Sequence, residues 1–216
     1  MLNQNVLIGI ASCMRYHERR AAIRDTWLRR YHGTVVFCTG FGENGRLLEN
    51  DIVTLDCEDT YEKLPHKMLL FFRTLLRHDQ FDWMFKCDDD TYVKCESWHA
   101  LLHNATWDYG GRVYAGSGGG AFNRAHHINK VTDVKFKHKH QGIWRGPWCQ
   151  GGDGYFLSRR AVSILAEHIE PPDPNELYED KMVGDILRSS GIFPTDLALP
   201  TLHPVTPHKM RGLYRA

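Results

Sequence analysis

The chain has 216 residues, enough for one domain with a sizeable core, and its 27 basic and 26 acidic residues leave a formal net charge of +1. So even a balance excludes a global nucleic-acid or polyanion footprint. No run of about 18 apolar residues is present to span a membrane, and the apolar opening MLNQNVLIGIASC is followed rather than preceded by basic residues, which argues for a buried strand and against a signal peptide.

In chain order, Val6 to Cys13 reads as a strand and His17 to Tyr31 as a helix with Ala21, Ala22, Ile23, Trp27 and Leu28 at its apolar and small positions. Thr34 to Thr39 is a β-branched strand, and a short helix around Leu47 and Leu48 follows a Gly-rich turn. Asp51 to Leu55 is a third strand. Tyr61 to Arg77 has helical spacing, with Leu64, Met68, Leu69, Phe72, Leu75 and Leu76 on one side, and Phe81 to Cys87 is a fourth strand. This alternation argues for a largely parallel sheet with helices on both faces, where ligands bind beyond the carboxyl ends of the strands. The second half is less regular. Gly110 to Gly120 is Gly-rich, Asn123 to Trp148 is basic and rich in His and Trp, helices are expected over Arg159 to His168 and Leu177 to Ser189, and PPDPN at Pro171 to Asn175 is a turn. No repeat or linker divides the chain, so a single domain over 1–216 is expected.

The stretch MFKCDDDTYV, Met84 to Val93, carries the chemistry. Three adjacent carboxylates repel one another and resist burial, yet Asp88, Asp89 and Asp90 stand directly after an apolar strand and before more β-type sequence. A hard divalent cation, Mg²⁺ or Mn²⁺, resolves the conflict, because it prefers oxygen ligands and bridges carboxylates to phosphates. A solvated acidic loop would not need that setting.

Six motifs, in order along nearly the whole chain, resemble those of the inverting beta-1,3-glycosyltransferases, which include beta-1,3-galactosyltransferases, Fringe-type enzymes and the core 1 galactosyltransferase. RRAAIRDTW (Arg19 to Trp27) resembles RRxxIRxTW; DTYEKLPHK (Asp59 to Lys67) resembles DxYxNLTxK; FDWMFKCDDDTYV resembles the strand and DxD motif. CQGGDGYFLS (Cys149 to Ser158), YEDKMVG (Tyr178 to Gly184) and TLHPVTPHK (Thr201 to Lys209) resemble the Gly-Gly motif, EDVxVG and the FHP-type tail. The resemblance implies a GT-A fold, an α/β/α sandwich with a mostly parallel central sheet and a small antiparallel acceptor-side region. It implies metal-dependent, inverting transfer of a sugar from a UDP-sugar to a hydroxyl of a glycan or glycoconjugate acceptor, forming a beta-1,3 linkage, with Mn²⁺ (or Mg²⁺).

Residue by residue, the resemblance makes Asp90 the main metal ligand, with Asp88 and His203 beside it and His208 as competitor for His203. Asp88 and Asp89 would also meet the ribose. Asp180 would be the catalytic base; the residues alone leave Glu179 and Asp180 equivalent. Nucleotide contacts are expected from Ala11, Ser12, Arg15 and Asp59. Arg19, Arg20 and Arg24 either hold phosphate or form surface ion pairs, with Arg24 alone at a motif position. Lys67 is structural or donor-facing, and Trp27 belongs to the core. Gly151 and Gly152 would permit close approach to the donor sugar. Asp153 stands where the family carries a small residue, so galactose is not assumed. Trp144 and Trp148 either stack on acceptor sugars or pack inward.

Six cysteines without a CxxC pair make a structural zinc site an unlikely expectation and reduced thiols the favoured one. The sequon Asn104-Ala105-Thr106 reads as chance. A bare catalytic domain or a naturally soluble enzyme is expected, in the cytoplasm, or in the Golgi lumen if excised from a longer protein. Two other readings compete: a nucleotidyl or phosphoryl transferase, which lacks a P-loop pattern here, and a carbohydrate-binding protein that would bind UDP with Mn²⁺ yet release no sugar.

Overall fold

A computed structural model describes residues 5–41, 50–78, 80–116, 121–168 and 173–215. In chain order the elements are β1 (Val6–Ala11), α1 (His17–Asp25), β2 (Val35–Phe41), β3 (Ile52–Glu58), α2 (Leu64–His78), β4 (Trp83–Asp88), β5 (Tyr92–Val93), α3 (Trp98–Leu102), β6 (Tyr109–Gly111), β7 (Val113–Tyr114), β8 (Ala121–Arg124), β9 (His140–Ile143), β10 (Trp148–Cys149), β11 (Tyr155–Ser158), α4 (Arg159–Glu167), α5 (Glu179–Ser189), β12 (Thr195–Asp196), β13 (Thr201–Leu202) and α6 (Pro207–Arg215). The short helix expected at Leu47 and Leu48 and part of the PPDPN turn lie outside the described residues.

Seven strands form one sheet in the order β12-β6-β11-β4-β1-β2-β3. β1, β2, β3 and β4 run parallel, as the strand-helix alternation predicts. β11 is inserted antiparallel between β4 and β6, and β12 is parallel to β6. The sheet is buried on both faces, and the period-2 alternation of its strands divides the core in two. Leu7, Met84 and Leu157 face α2, α4 and α5 through Met68, Phe72, Val162 and Leu187. Ile8, Phe85 and Phe156 face the opposite way, onto Ile23, Trp27, Trp98 and Met210. The result is the expected α/β/α sandwich. Small two-stranded pairs, β7 with β10, β8 with β9 and β5 with β13, lie beside it.

One expectation needs correction. The helix predicted over His17 to Tyr31 ends at Asp25, and a 3₁₀ turn, Trp27–Arg30, follows. The break is at Thr26, whose hydroxyl donates to the Ala22 carbonyl at 2.6 Å while its backbone leaves the helical region at φ −121, ψ −110. This turns Trp27 into the core, where its indole donates to the Thr91 carbonyl at 3.1 Å. After Pro194, Thr206-Pro207 opens α6, with Pro at the first helical position and the Thr206 carbonyl accepting from Met210. The DGYFLS motif supplies β11, the one antiparallel strand of a mostly parallel seven-stranded sheet. No helix among the described residues is long and apolar enough to cross a membrane.

Candidate active site

β4 carries an apolar run to the sheet's carboxyl edge and ends at Asp88; Asp89 and Asp90 form the turn beyond it. The three carboxylates then separate, each to a different set of partners, which is how three neighbouring anions are tolerated. Asp89 turns toward the end of β1. Its oxygens accept from the Ser12 hydroxyl at 2.8 Å and from Arg19 at 2.7 Å. Burial pushes its carboxyl up to about 6 despite these two donors. Asp90 accepts from Arg19 at 3.1 Å and lies 3.1 Å from His203 Nε2. Burial opposes its ionised form, but His203 and Arg19 outweigh it and hold the carboxyl below its ordinary value. Burial likewise opposes the charged form of His203, and the neighbouring Asp90 and Asp88 overcome it, raising the imidazole.

Asp88, Asp90 and His203 converge: each offers a ligand atom, and these atoms all lie within 4.8 Å of one another. Two carboxylates with an imidazole suit a divalent first-row cation, so the residues present fit the group that the DDD pattern implies. His208 lies on the exposed side of α6 and is not part of this cluster.

Beside the cluster opens a cleft of about 280 Å³. Ala11, Ser12, Arg15, Asp59, Asp88, Asp89 and Asp90 all line it. Its floor is braced by a buried ion pair: Lys67 donates to Asp59 at 2.7 Å and to the Ser12 carbonyl at 2.7 Å. Asp59 also accepts the backbone N–H groups of Met14 at 2.6 Å and Gly40 at 3.0 Å. Lys67 therefore holds the loop after β1 in place. Arg19, Tyr61 and Lys130 line the cleft as well. Arg19 is the cation that the sequence left undecided, and it reaches both Asp89 and Asp90.

Arg24 is a correction. It does not line the cleft; it forms a two-pronged pair with Asp51, Nε to Oδ2 at 2.8 Å and Nη2 to Oδ1 at 2.7 Å. A helix advances about 100° per residue, so the side chain five positions beyond Arg19 cannot share its direction. Gly151 and Gly152 also make close approaches to protein groups. A Cβ on Gly152 would stand 2.6 Å from His203 Nδ1, and one on Gly151 would stand 3.2 Å from both the Asp180 Cβ and Lys86 Nζ. The turn between β10 and β11 thus touches the metal-type cluster with one glycine and the start of α5 with the other.

At that start, Glu179 and Asp180 part ways. Glu179 is fully enclosed and bound by Lys86 and by the Tyr155 hydroxyl at 3.0 Å. Asp180 is half-buried, accepts from the Gly151 N–H at 3.2 Å and has Arg124 at 3.9 Å. An anion is favoured at this first helical turn, and Asp180 is the member of the pair that retains access to the surface. Lys86, absent from the sequence reading, was signalled by a charged residue inside an apolar strand. Trp148 packs inward: it is 1% exposed, with Tyr114 at 4.8 Å and Trp144 at 5.1 Å. Arg124 lies over the Trp148 ring, 5.4 Å from its centroid, and Trp144 is half-buried beside it. Asp153 faces Arg112 at 3.4 Å.

The sequence profile of the Galactosyltransferase family matches residues 18–198. A probable beta-1,3-galactosyltransferase 12 of Arabidopsis thaliana is 29% identical over 45% of this chain and 32% of its own length. A UDP-GalNAc:beta-1,3-N-acetylgalactosaminyltransferase 2 of Mus musculus is 40% identical over 23% of this chain and 10% of its own length. The chain thus matches about a third of the plant relative and a tenth of the mouse one. Among solved structures, a glycosyltransferase involved in glycosylation of the major capsid of PBCV-1 superposes with a TM-score of 0.52 at 9% identity, covering 98% of each chain. That likeness is one of fold, and the sandwich is of GT-A type. With a profile match over most of its length, the chain belongs to the Galactosyltransferase family.

Proposed function

We propose that this protein is a metal-dependent inverting glycosyltransferase that moves a sugar from a UDP-sugar to an acceptor glycan hydroxyl, forming a beta-1,3 linkage. The convergence of Asp88, Asp90 and His203 at the edge of the cleft is the observation that carries this reading. Family membership and the names of the relatives support the transferase class and the linkage; galactose and N-acetylgalactosamine are the first donors to try.

Asp88, Asp90 and His203 would hold the cation, Mn²⁺ by preference. When bound, such an ion neutralises charge on a diphosphate leaving group. Ser12, Arg15 and Asp59 line the cleft where the nucleotide would lie, and Arg19, paired to Asp90, would offer a guanidinium to its diphosphate. Asp180 acts as general base. It takes the proton of the acceptor hydroxyl as that oxygen forms its bond to the anomeric carbon, on the face opposite UDP; the bond from that carbon to the diphosphate oxygen breaks, and UDP leaves with the electron pair. Glu179 is unsuited to this role, since its two oxygens are occupied by Lys86 and Tyr155.

The test is a panel of UDP-sugars offered with glycan acceptors in Mn²⁺ or in EDTA. Acceptor-dependent UDP release, abolished by EDTA and lowered at least about 100-fold by Asp180→Asn, is the result expected of a general base. Donor binding with no release for any acceptor would leave a binding protein instead.

A further inference from the structure

The proposed chemistry makes no use of Lys86, an ammonium in the centre of the sheet. It is fully buried in β4 between Phe85 and Cys87, both also without exposure. Its ammonium donates to Asp88 Oδ1 at 2.8 Å and to Glu179 Oε1, with the Gly151 carbonyl at 3.5 Å. The second oxygen of Glu179 accepts from the Tyr155 hydroxyl at 3.0 Å. A buried ion pair adds little stability over an apolar core of the same shape, so holding the fold together does not account for a charge in this position. Geometry does. A carboxylate with one oxygen fixed presents the other in a set direction, and Asp88 belongs to the cation group. Glu179, fixed at both oxygens, pins the first turn of α5, whose next residue is Asp180. Gly151, which Lys86 also approaches, donates its N–H to Asp180 Oδ2 at 3.2 Å.

We infer that Lys86 is a positioning residue, locking Asp88 of the cation cluster and Asp180 of α5 into one rigid arrangement. The inference rests on the reading of the site given above. Single removal of Lys86 would strand Glu179 as an unpaired buried anion, so the test is the double variant Lys86→Met/Glu179→Gln, which leaves the net charge unchanged. The deleted ammonium is the charge in contact with Asp88, so its loss by itself would favour the cation, and a weakened affinity therefore reports geometry.

Mn²⁺ binding to the nucleotide-free protein, followed by the electron paramagnetic resonance signal of the free ion, gives a readout that needs no turnover. The expected result is a folded double variant whose Mn²⁺ affinity is about 10- to 100-fold weaker, the effect typical of partners that orient metal ligands. With saturating Mn²⁺ and donor, kcat falls by a similar factor while the donor KM stays near that of the wild type. Lys86→Arg, which keeps the charge beside Glu179 but not the compact three-way contact, is expected to weaken Mn²⁺ in the same direction, and it decides the matter should the double variant not fold. A folded variant with wild-type Mn²⁺ affinity and wild-type kcat would overturn the inference. Wild-type protein that binds no Mn²⁺ would instead overturn the cation reading, and this inference with it.

Discussion

His203 Nε2 lies 3.1 Å from Asp90 Oδ1, joining the loop after β13 to the turn after β4. The β5–β13 pair brings the two segments together, since Thr201 and Leu202 are registered against Val93 and Tyr92. His203→Ala is expected to weaken Mn²⁺ binding at least about tenfold, the loss seen even for outer partners of metal ligands. His208→Ala, on exposed α6, is expected to leave it unchanged. Titration of Mn²⁺ into both variants checks this, and the reverse order would move the ligand assignment to His208.

Gly152 is required by that same histidine. Its missing Cβ leaves room for the imidazole, since a Cβ would stand 2.6 Å from Nδ1. Gly152→Ala should displace the ring and mimic His203→Ala in Mn²⁺ binding. Gly212, in the interior of α6 with nothing within 4 Å of a built Cβ, is the control. Gly212→Ala is expected to stabilise the fold by about 0.5–1 kcal/mol, read from chemical denaturation.

Two of the three arginines of the RRAAIRDTW stretch, Arg19 and Arg24, make opposite predictions. Arg19 reaches Asp89 and Asp90 in the cleft, whereas Arg24 is committed to Asp51. Arg19→Ala should weaken UDP binding about tenfold or more, a typical loss of one charge-assisted contact of about 1.5–3 kcal/mol. Arg24→Ala should leave UDP affinity unchanged and lower stability by no more than about 1 kcal/mol, because its pair is a third exposed. Calorimetry of UDP binding distinguishes them.

Much of this was legible in the sequence. The apolar run into Asp88 placed the carboxylates at the sheet edge, and period-2 and period-3.6 patterns found β1 to β4, α2, α4 and α5. What escaped depended on contacts between distant segments. Arg19 and Arg24 share one helix and one composition, and only helix phase and the position of Asp51 divide them. Lys86 was hidden because its partner, Glu179, lies at the start of α5, far along the chain. The capping of α6 by Thr206-Pro207 was a local signal that was readable but unread. That β11 runs antiparallel followed from no local pattern, because a buried strand of either direction carries the same apolar residues.

The Lys67–Asp59 pair gives a prediction in pH. Both side chains are nearly enclosed, 4% and 5% exposed. Burial opposes the Asp59 charge, but Lys67 and the Met14 and Gly40 N–H donors hold its carboxyl below the model-peptide value of 3.8. The unfolded chain therefore takes up this proton at higher pH than the folded one. The contribution of Asp59 is complete above about pH 4 and is lost as pH falls through its lower folded value. Asp59→Asn should flatten the acid limb of the stability curve below about pH 4. Lys67→Met, which leaves a buried anion unpaired, should cost roughly 3–5 kcal/mol at pH 7. Urea denaturation across pH checks both.

The central claim is that Asp88, Asp90 and His203 together form a cradle for a cation that receives a nucleoside diphosphate. The most direct measurement is calorimetry of UDP binding in Mn²⁺, in EDTA and with Asp90→Ala. The account predicts tight binding in Mn²⁺ that disappears both in EDTA and in the variant. UDP binding that is equally tight without metal, or in Asp90→Ala, would contradict it.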